Sequence, residues 1–141
     1  MSMRHKVLAY ITRERRGRRE VLVFDHRDFP EAGAQVPAGT VEPGEPVERA
    51  LWREVEEESG LKPDQLRLIG KLAEAFEAEW DNLRHVFHLE AVGALPDAWT
   101  HVVQGRGEDR GMVFEYRWAD LGVTLAGGQH RWLGAVTGAL S

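Results

Sequence analysis

Residues Gly39–Leu61, GTVEPGEPVERALWREVEEESGL, contain the signal from which the rest of the chain can be read. Pro46 suits a first helical position, apolar residues recur at Val47, Ala50, Leu51 and Val55, and Gly60 suits the left-handed residue that closes a helix. The spacing predicts a helix over 46–59. On that helix Glu54, Glu57 and Glu58 stand at i, i+3 and i+4 and share one face, beside the apolar stripe, whereas Glu56 points elsewhere.

A solvated acidic face is the ordinary explanation for a Glu-rich helix, and two features argue against it. Glu57 and Glu58 lie in the last turn, where the negative end of the helix dipole disfavours anions, and Glu54 with Glu58 is a like-charge i, i+4 pair. At a separation of roughly 6 Å and an effective dielectric near 20, each pair repels by about 3 kcal/mol. Arg53 offsets part of this. A hard divalent cation takes oxygen ligands and removes most of the rest, which points to a Mg²⁺ or Mn²⁺ site.

Upstream, 7–12 and 21–25 read as strands joined by a turn around Gly17, the second apolar on both faces and hence covered on both sides. Prolines and glycines make 29–44 an irregular connection, with a short strand at 35–37. Downstream, 66–78 and 84–92 read as strands separated by Trp80, Asp81 and Asn82, and 112–118 as another. Residues 93–111 are expected to form a long polar loop, and 129–140 a C-terminal helix. The order is mixed α/β, with helices covering a sheet.

The 141 residues fit one domain, and 43% hydrophobic with 29% charged residues describes a chain that folds on its own. With no cysteine, any metal must be held by oxygen or imidazole, and a reducing cytoplasm is compatible. No stretch approaches the length of a transmembrane helix, so no membrane partner is expected. The net charge of −5 argues against a general nucleic-acid binder. The arginine run 13–19 is interrupted by Glu14 and reads as a solvated hairpin turn. His85 and His88 lie an odd number of positions apart in a strand, so they cannot form a ligand pair there.

The spacing Gly39, Glu45, Arg53, Glu54, Val55, Glu57, Glu58, Gly60 and Leu61 resembles a complete Nudix box. At residue frequencies of roughly 7%, a chance match is on the order of one in several million, so coincidence is set aside. The resemblance implies an α/β/α sandwich with a mixed central sheet and the metal-binding helix after a glycine-rich loop. It implies that Glu54, Glu57 and Glu58 bind Mg²⁺ or Mn²⁺, with the Gly39 carbonyl a further ligand. Arg53 would orient the carboxylates by pairing with Glu45 or Glu57, and Gly60 would close the helix.

The implied reaction is hydrolysis of a pyrophosphate bond in a small nucleotide-like substrate, a nucleoside diphosphate linked to another group. Two rivals stand beside it. One is a non-catalytic nucleotide-binding regulatory module, which loss of the carboxylates would mark and which this chain does not resemble in that respect. The other is an RNA-processing pyrophosphohydrolase using the early arginines. A homodimer is common among similar proteins. Glu108, in the glycine-flanked segment 105–111, is the expected general base, ahead of Asp109 and Glu54, because a carboxylate bound to a cation loses basicity. Trp80, Trp99, Phe76 and Phe29, in or beside expected loops, are candidates for stacking on a base.

Overall fold

The computed structural model describes residues 3–138. The two apolar runs near its start form β1 (Arg4–Arg15) and β2 (Arg18–His26). Arg16 and Gly17 join them, both at positive φ (53° and 76°), which a two-residue hairpin matched to the twist of its strands requires. Alternate β1 residues enter different cores: Val7, Ala9 and Ile11 pack on one face of the sheet, Leu8 and Tyr10 on the other. This double burial is why the run is continuously apolar.

The remaining elements are β3 (Ala38–Thr40), α1 (Val47–Ser59), β4 (Leu66–Glu77), β5 (Asn82–Ala91), β6 (Ala98–Val102), β7 (Val113–Asp120) and α2 (Leu133–Gly138). The seven-stranded sheet runs β4-β5-β1-β2-β7-β6, with β3 beside β1. One edge of β1 pairs with β5 in parallel; the other is shared between β3 and β2, both antiparallel. Ala50, Leu51 and Val55 of α1 close the core on one face, and Leu133 and Val136 of α2 close it on the other. The expected α/β/α sandwich is the fold.

Several details differ from the sequence reading. Pro46 is not the first helical residue but the extended residue before it, at φ −61° and ψ 142°. The short strand lies at Ala38–Thr40 and not at 35–37, where Gln35 makes only an isolated bridge to Phe24. Asn82 begins β5. Residues 126–132 form 3₁₀ turns kinked at Gly127 and Gly128, so the final α-helix starts later than expected, and the last two residues of the expected span lie outside the described residues.

The arginine run forms the expected exposed turn at Arg15, Arg16 and Arg18, but its ends, Arg13 and Arg19, are less solvated than expected. Arg13 pairs with Glu20 and Asp97 and lies over the Trp118 ring, and Arg19 pairs with Glu90. Cross-strand register supplies these partners, which a count of charges along the chain cannot reveal. His85 and His88 do face different neighbours, His5 at 2.9 Å and Thr12 at 2.8 Å.

The largest correction is β6, inside the segment expected to be a loop. Its alternating half-buried residues meet the last turn of α1, whose carbonyls have no partner within the helix. Trp99 donates its indole N–H to Ser59 O at 3.0 Å, Gln104 its main-chain N–H to Glu57 O at 2.9 Å, and Tyr116 its hydroxyl to Glu58 O at 2.8 Å. His101 Nε2 also lies 2.9 Å from Glu57 O. Gly60, at φ 80°, returns its N–H to Glu56 O. Strands far away in sequence therefore hold the end of α1 that carries the carboxylates.

Trp99→Phe keeps a ring on Tyr116 but leaves Ser59 O without its donor, and should lower unfolding free energy by about 1–3 kcal/mol in denaturant titration. A change near zero would mean that solvent replaces this bond at no cost.

Candidate active site

Arg53 lies among the carboxylates of α1 and uses every direction its guanidinium offers. Nε and Nη2 grip the two oxygens of Glu45 at 2.8 and 3.0 Å. Nη2 also donates to Thr40 O at 3.0 Å, and Nη1 bridges Glu54 Oε1 (2.9 Å) and Glu57 Oε1 (3.0 Å). The sequence reading offered Glu45 or Glu57 as its partner; both are. Glu45 hydrogen-bonds back to Glu42 N, so the loop before α1 is fastened to the helix through one cation.

The three box glutamates have different environments. Glu58 is buried at 6% exposure and accepts from Ala38 N at 3.1 Å. Burial, followed by the charge of Glu54, pushes its pKa well above the usual carboxylate range. Glu54 is pushed up to about 7, chiefly by burial and further by Glu57, against the pull of Arg53. Glu57 is half-buried.

Two glycines fit these carboxylates closely. A Cβ on Gly39 would stand 2.1 Å from Glu54 Cδ, and one on Gly105 would stand 2.4 Å from Glu57 Cδ. Only main chain without a side chain can approach so near. Gly105 also takes φ 92°, so a side chain there would be strained as well as obstructed.

These groups open on a cleft of about 700 Å³. Glu108 and Asp109 of the β6–β7 connection line it, together with Gly39, Glu54, Glu57 and Glu58. Arg4 and Lys6 from β1 and Arg106 and Arg110 from the β6–β7 connection also face it. The sequence pointed to the segment 105–111 but not to these four as a group, because the signal would have been their convergence and they come from opposite parts of the chain. Trp80, Trp99 and Phe29 do not line the cleft. Trp80 and Phe29 are exposed elsewhere, and Trp99 stacks on Tyr116.

The donor set suits a hard divalent ion: three carboxylates and the adjacent main chain of Gly39, all oxygen. Among the described residues, no three Asp, Glu or His groups already stand in metal-holding geometry. Arg53 instead occupies the inner oxygens of Glu54 and Glu57, partly compensating charges that a cation would neutralise.

A model of the NUDIX domain matches residues 3–133. The chain belongs to this family. Among solved structures, the Ap4A hydrolase of C. elegans superposes with a TM-score of 0.70 at 19% identity, over 99% of this chain and 100% of that one. The NUDIX domain of Shewanella oneidensis NrtR, solved with ADP ribose, gives 0.65 at 14%, over 100% and 90%. A UDP-X diphosphatase gives 0.67 at 15%, over 100% of this chain and 66% of that one. At such identities the likeness is one of fold. Comparison with curated protein sequences gave no match. Membership of the Nudix family supports pyrophosphohydrolysis as the general activity. No helix among the described residues is long and apolar enough to cross a membrane.

The raised pKa of Glu54 has a consequence for stability. Its carboxyl holds a proton more tightly in the folded chain than in the unfolded one, so its contribution favours folding below its ordinary value of 4.5 and turns unfavourable as pH rises towards about 7. In chelator, Glu54→Gln should therefore gain melting temperature over wild type at pH 8 and lose that advantage at pH 4. A gain independent of pH would show that Glu54 is not penalised by its charge.

Proposed function

We propose that this Nudix protein is a Mg²⁺- or Mn²⁺-dependent hydrolase that cleaves a pyrophosphate bond in a nucleoside diphosphate linked to another group. The observation that carries the proposal is the set of Glu54, Glu57 and Glu58 on one helix end, oriented by Arg53 and facing a cleft with cationic walls. Neighbours of the same fold are named for Ap4A hydrolysis, ADP ribose binding and UDP-X cleavage, and each of these compounds contains a nucleoside diphosphate unit.

Glu54, Glu57 and Glu58 would hold the ion, with the Gly39 carbonyl as a further ligand. When bound, the ion neutralises phosphate oxygens and lowers the pKa of coordinated water. Arg53 keeps two of the carboxylates in fixed orientation and contacts no reacting atom. Water oxygen bonds to phosphorus, the bridging anhydride oxygen leaves with the departing phosphate, and Glu108 takes the water's proton. Glu108 is assigned this role over Asp109 because its longer side chain reaches further from the cleft wall and is separate from the ion's own ligands.

Glu57→Gln should reduce kcat by at least ~10²-fold with the fold intact, since a ligand charge is lost at nearly constant shape. Arg53→Lys should reduce kcat by about 10–100-fold, because an ammonium cannot hold two carboxylates in one plane. Wild-type kcat in both variants at saturating Mg²⁺ would overturn the proposed site.

Glu108→Gln should remove the acidic limb of the pH–rate profile, while Asp109→Asn should keep it. An unchanged limb in Glu108→Gln would transfer the role of base to Glu54.

A further inference from the structure

Of the chain's 18 lysines and arginines, 11 are engaged in ion pairs with carboxylates among the described residues. Four of the seven that are not, Arg4, Lys6, Arg106 and Arg110, line the same cleft. Surface cations usually have water in place of a partner, so an unpaired arginine alone means little. The concentration of four around one concavity, beside carboxylates that could have paired with them, is the informative feature.

Lys6 is the most constrained of the four. It lies opposite Arg84 in the parallel register of β1 and β5 and opposite Thr40 of β3. The guanidinium of Arg84 is committed to Glu77 at 3.1 Å, so Lys6 has a like charge beside it and, among the described residues, no carboxylate bound to it. Half-burial, then Arg84 and Arg4, lower its pKa, while Glu77 and Glu108 pull the other way. A desolvated, unpaired ammonium is costly, and a multiply charged anion in the cleft relieves that cost.

The cleft also lacks something. Among the described residues that line it there is no aromatic side chain on which a base could stack.

We propose that Lys6 and Arg4 on one wall, with Arg106 and Arg110 on the other, form a clasp for a chain of three or more phosphates and leave the group at the chain's end largely unread. This rests on the pyrophosphohydrolase reading above. The metal ligands and their ion account for the two phosphates of the bond that is cut. Four further cations match the additional charge and oxygens of a third and later phosphate better than the two negative charges of a two-phosphate sugar nucleotide. These residues position substrate and take no part in the bond-breaking step.

Equilibrium binding of inorganic tripolyphosphate and inorganic pyrophosphate, with Mg²⁺ and at fixed ionic strength, tests the clasp without requiring turnover. Wild type should prefer tripolyphosphate by about tenfold or more, the contribution expected from one or two charge-assisted contacts. Lys6→Met, which retains the aliphatic stem, should bring that ratio close to one while leaving pyrophosphate affinity within about twofold, as only the outer phosphate contacts are removed. Arg106→Ala with Arg110→Ala, both on an exposed connection, should do the same and keeps the test valid if Lys6→Met fails to fold.

Arg16→Ala with Arg18→Ala removes two arginines that have no ion pair among the described residues and do not line the cleft, and should leave the ratio unchanged. ATP and GTP should displace bound tripolyphosphate with affinities within about threefold, as expected without a stacking platform or base-reading contacts. Equal binding of the two probes by wild type, a preference that survives the cleft variants, or a strong preference for one nucleotide base would overturn the clasp. Failure to hydrolyse any anhydride would instead count against the proposed activity, since these binding measurements do not depend on it.

Discussion

The arrangement of the site depends on one guanidinium. Arg53 is flanked on α1 by the buried Leu51 and Val55, so its backbone position is set by the core. Its side chain then joins the loop and the helix, gripping Glu45 and Thr40 O on one side and Glu54 and Glu57 on the other. A planar group with fixed donors imposes geometry as well as charge, which a flexible ammonium does not. One cation does not balance the surrounding carboxylates, and their mutual repulsion adds to burial, the larger cause, in raising the pKa values of Glu54 and Glu58. The same excess of buried negative charge favours a divalent ion.

The end of α1 has a second requirement. A helix that carries acids in its final turn works against its own dipole, and its last carbonyls need donors. Trp99, Gln104 and Tyr116 provide them from β6, the segment after it, and β7. The segment that fastens the helix end then continues into Gly105, whose main chain lies against the Glu57 carboxylate, and on to Arg106, Glu108, Asp109 and Arg110 on the cleft wall. Anchoring the helix that carries the carboxylates and building the opposite wall of the cleft are therefore properties of one connection. A change at Trp99, which does not line the cleft, should act on the site without touching substrate.

The parts that were legible in the sequence were those governed by local geometry. Helical periodicity brought Glu54, Glu57 and Glu58 onto one face, and Gly60 ended the helix where an αL residue was needed. The apolar run of β1 implied coverage on both sides, as the two cores attest. β6 escaped because it is short, lies at the edge of the sheet, and alternates half-buried with exposed residues, a pattern that does not distinguish it from a polar loop. The solvated reading of the arginine run holds for the exposed Arg15, Arg16 and Arg18 and misses Arg13 and Arg19 for a related reason: Asp97 and Glu90, which pair with them, are some seventy residues or more away.

By itself, then, the sequence determined the family, the order of the main elements and the identity of the carboxylate face, because each follows from spacing within a single element or from one contiguous motif. Only the tertiary structure decided which donors hold the end of α1, which glycines must admit a carboxylate, and that Arg4 and Lys6 share a cleft with Arg106 and Arg110. Those relations join residues between about fifteen and about a hundred positions apart, most of them through the strand order of the sheet. Strand order depends on the long-range packing of both faces against α1 and α2, and no local spacing in the chain encodes it.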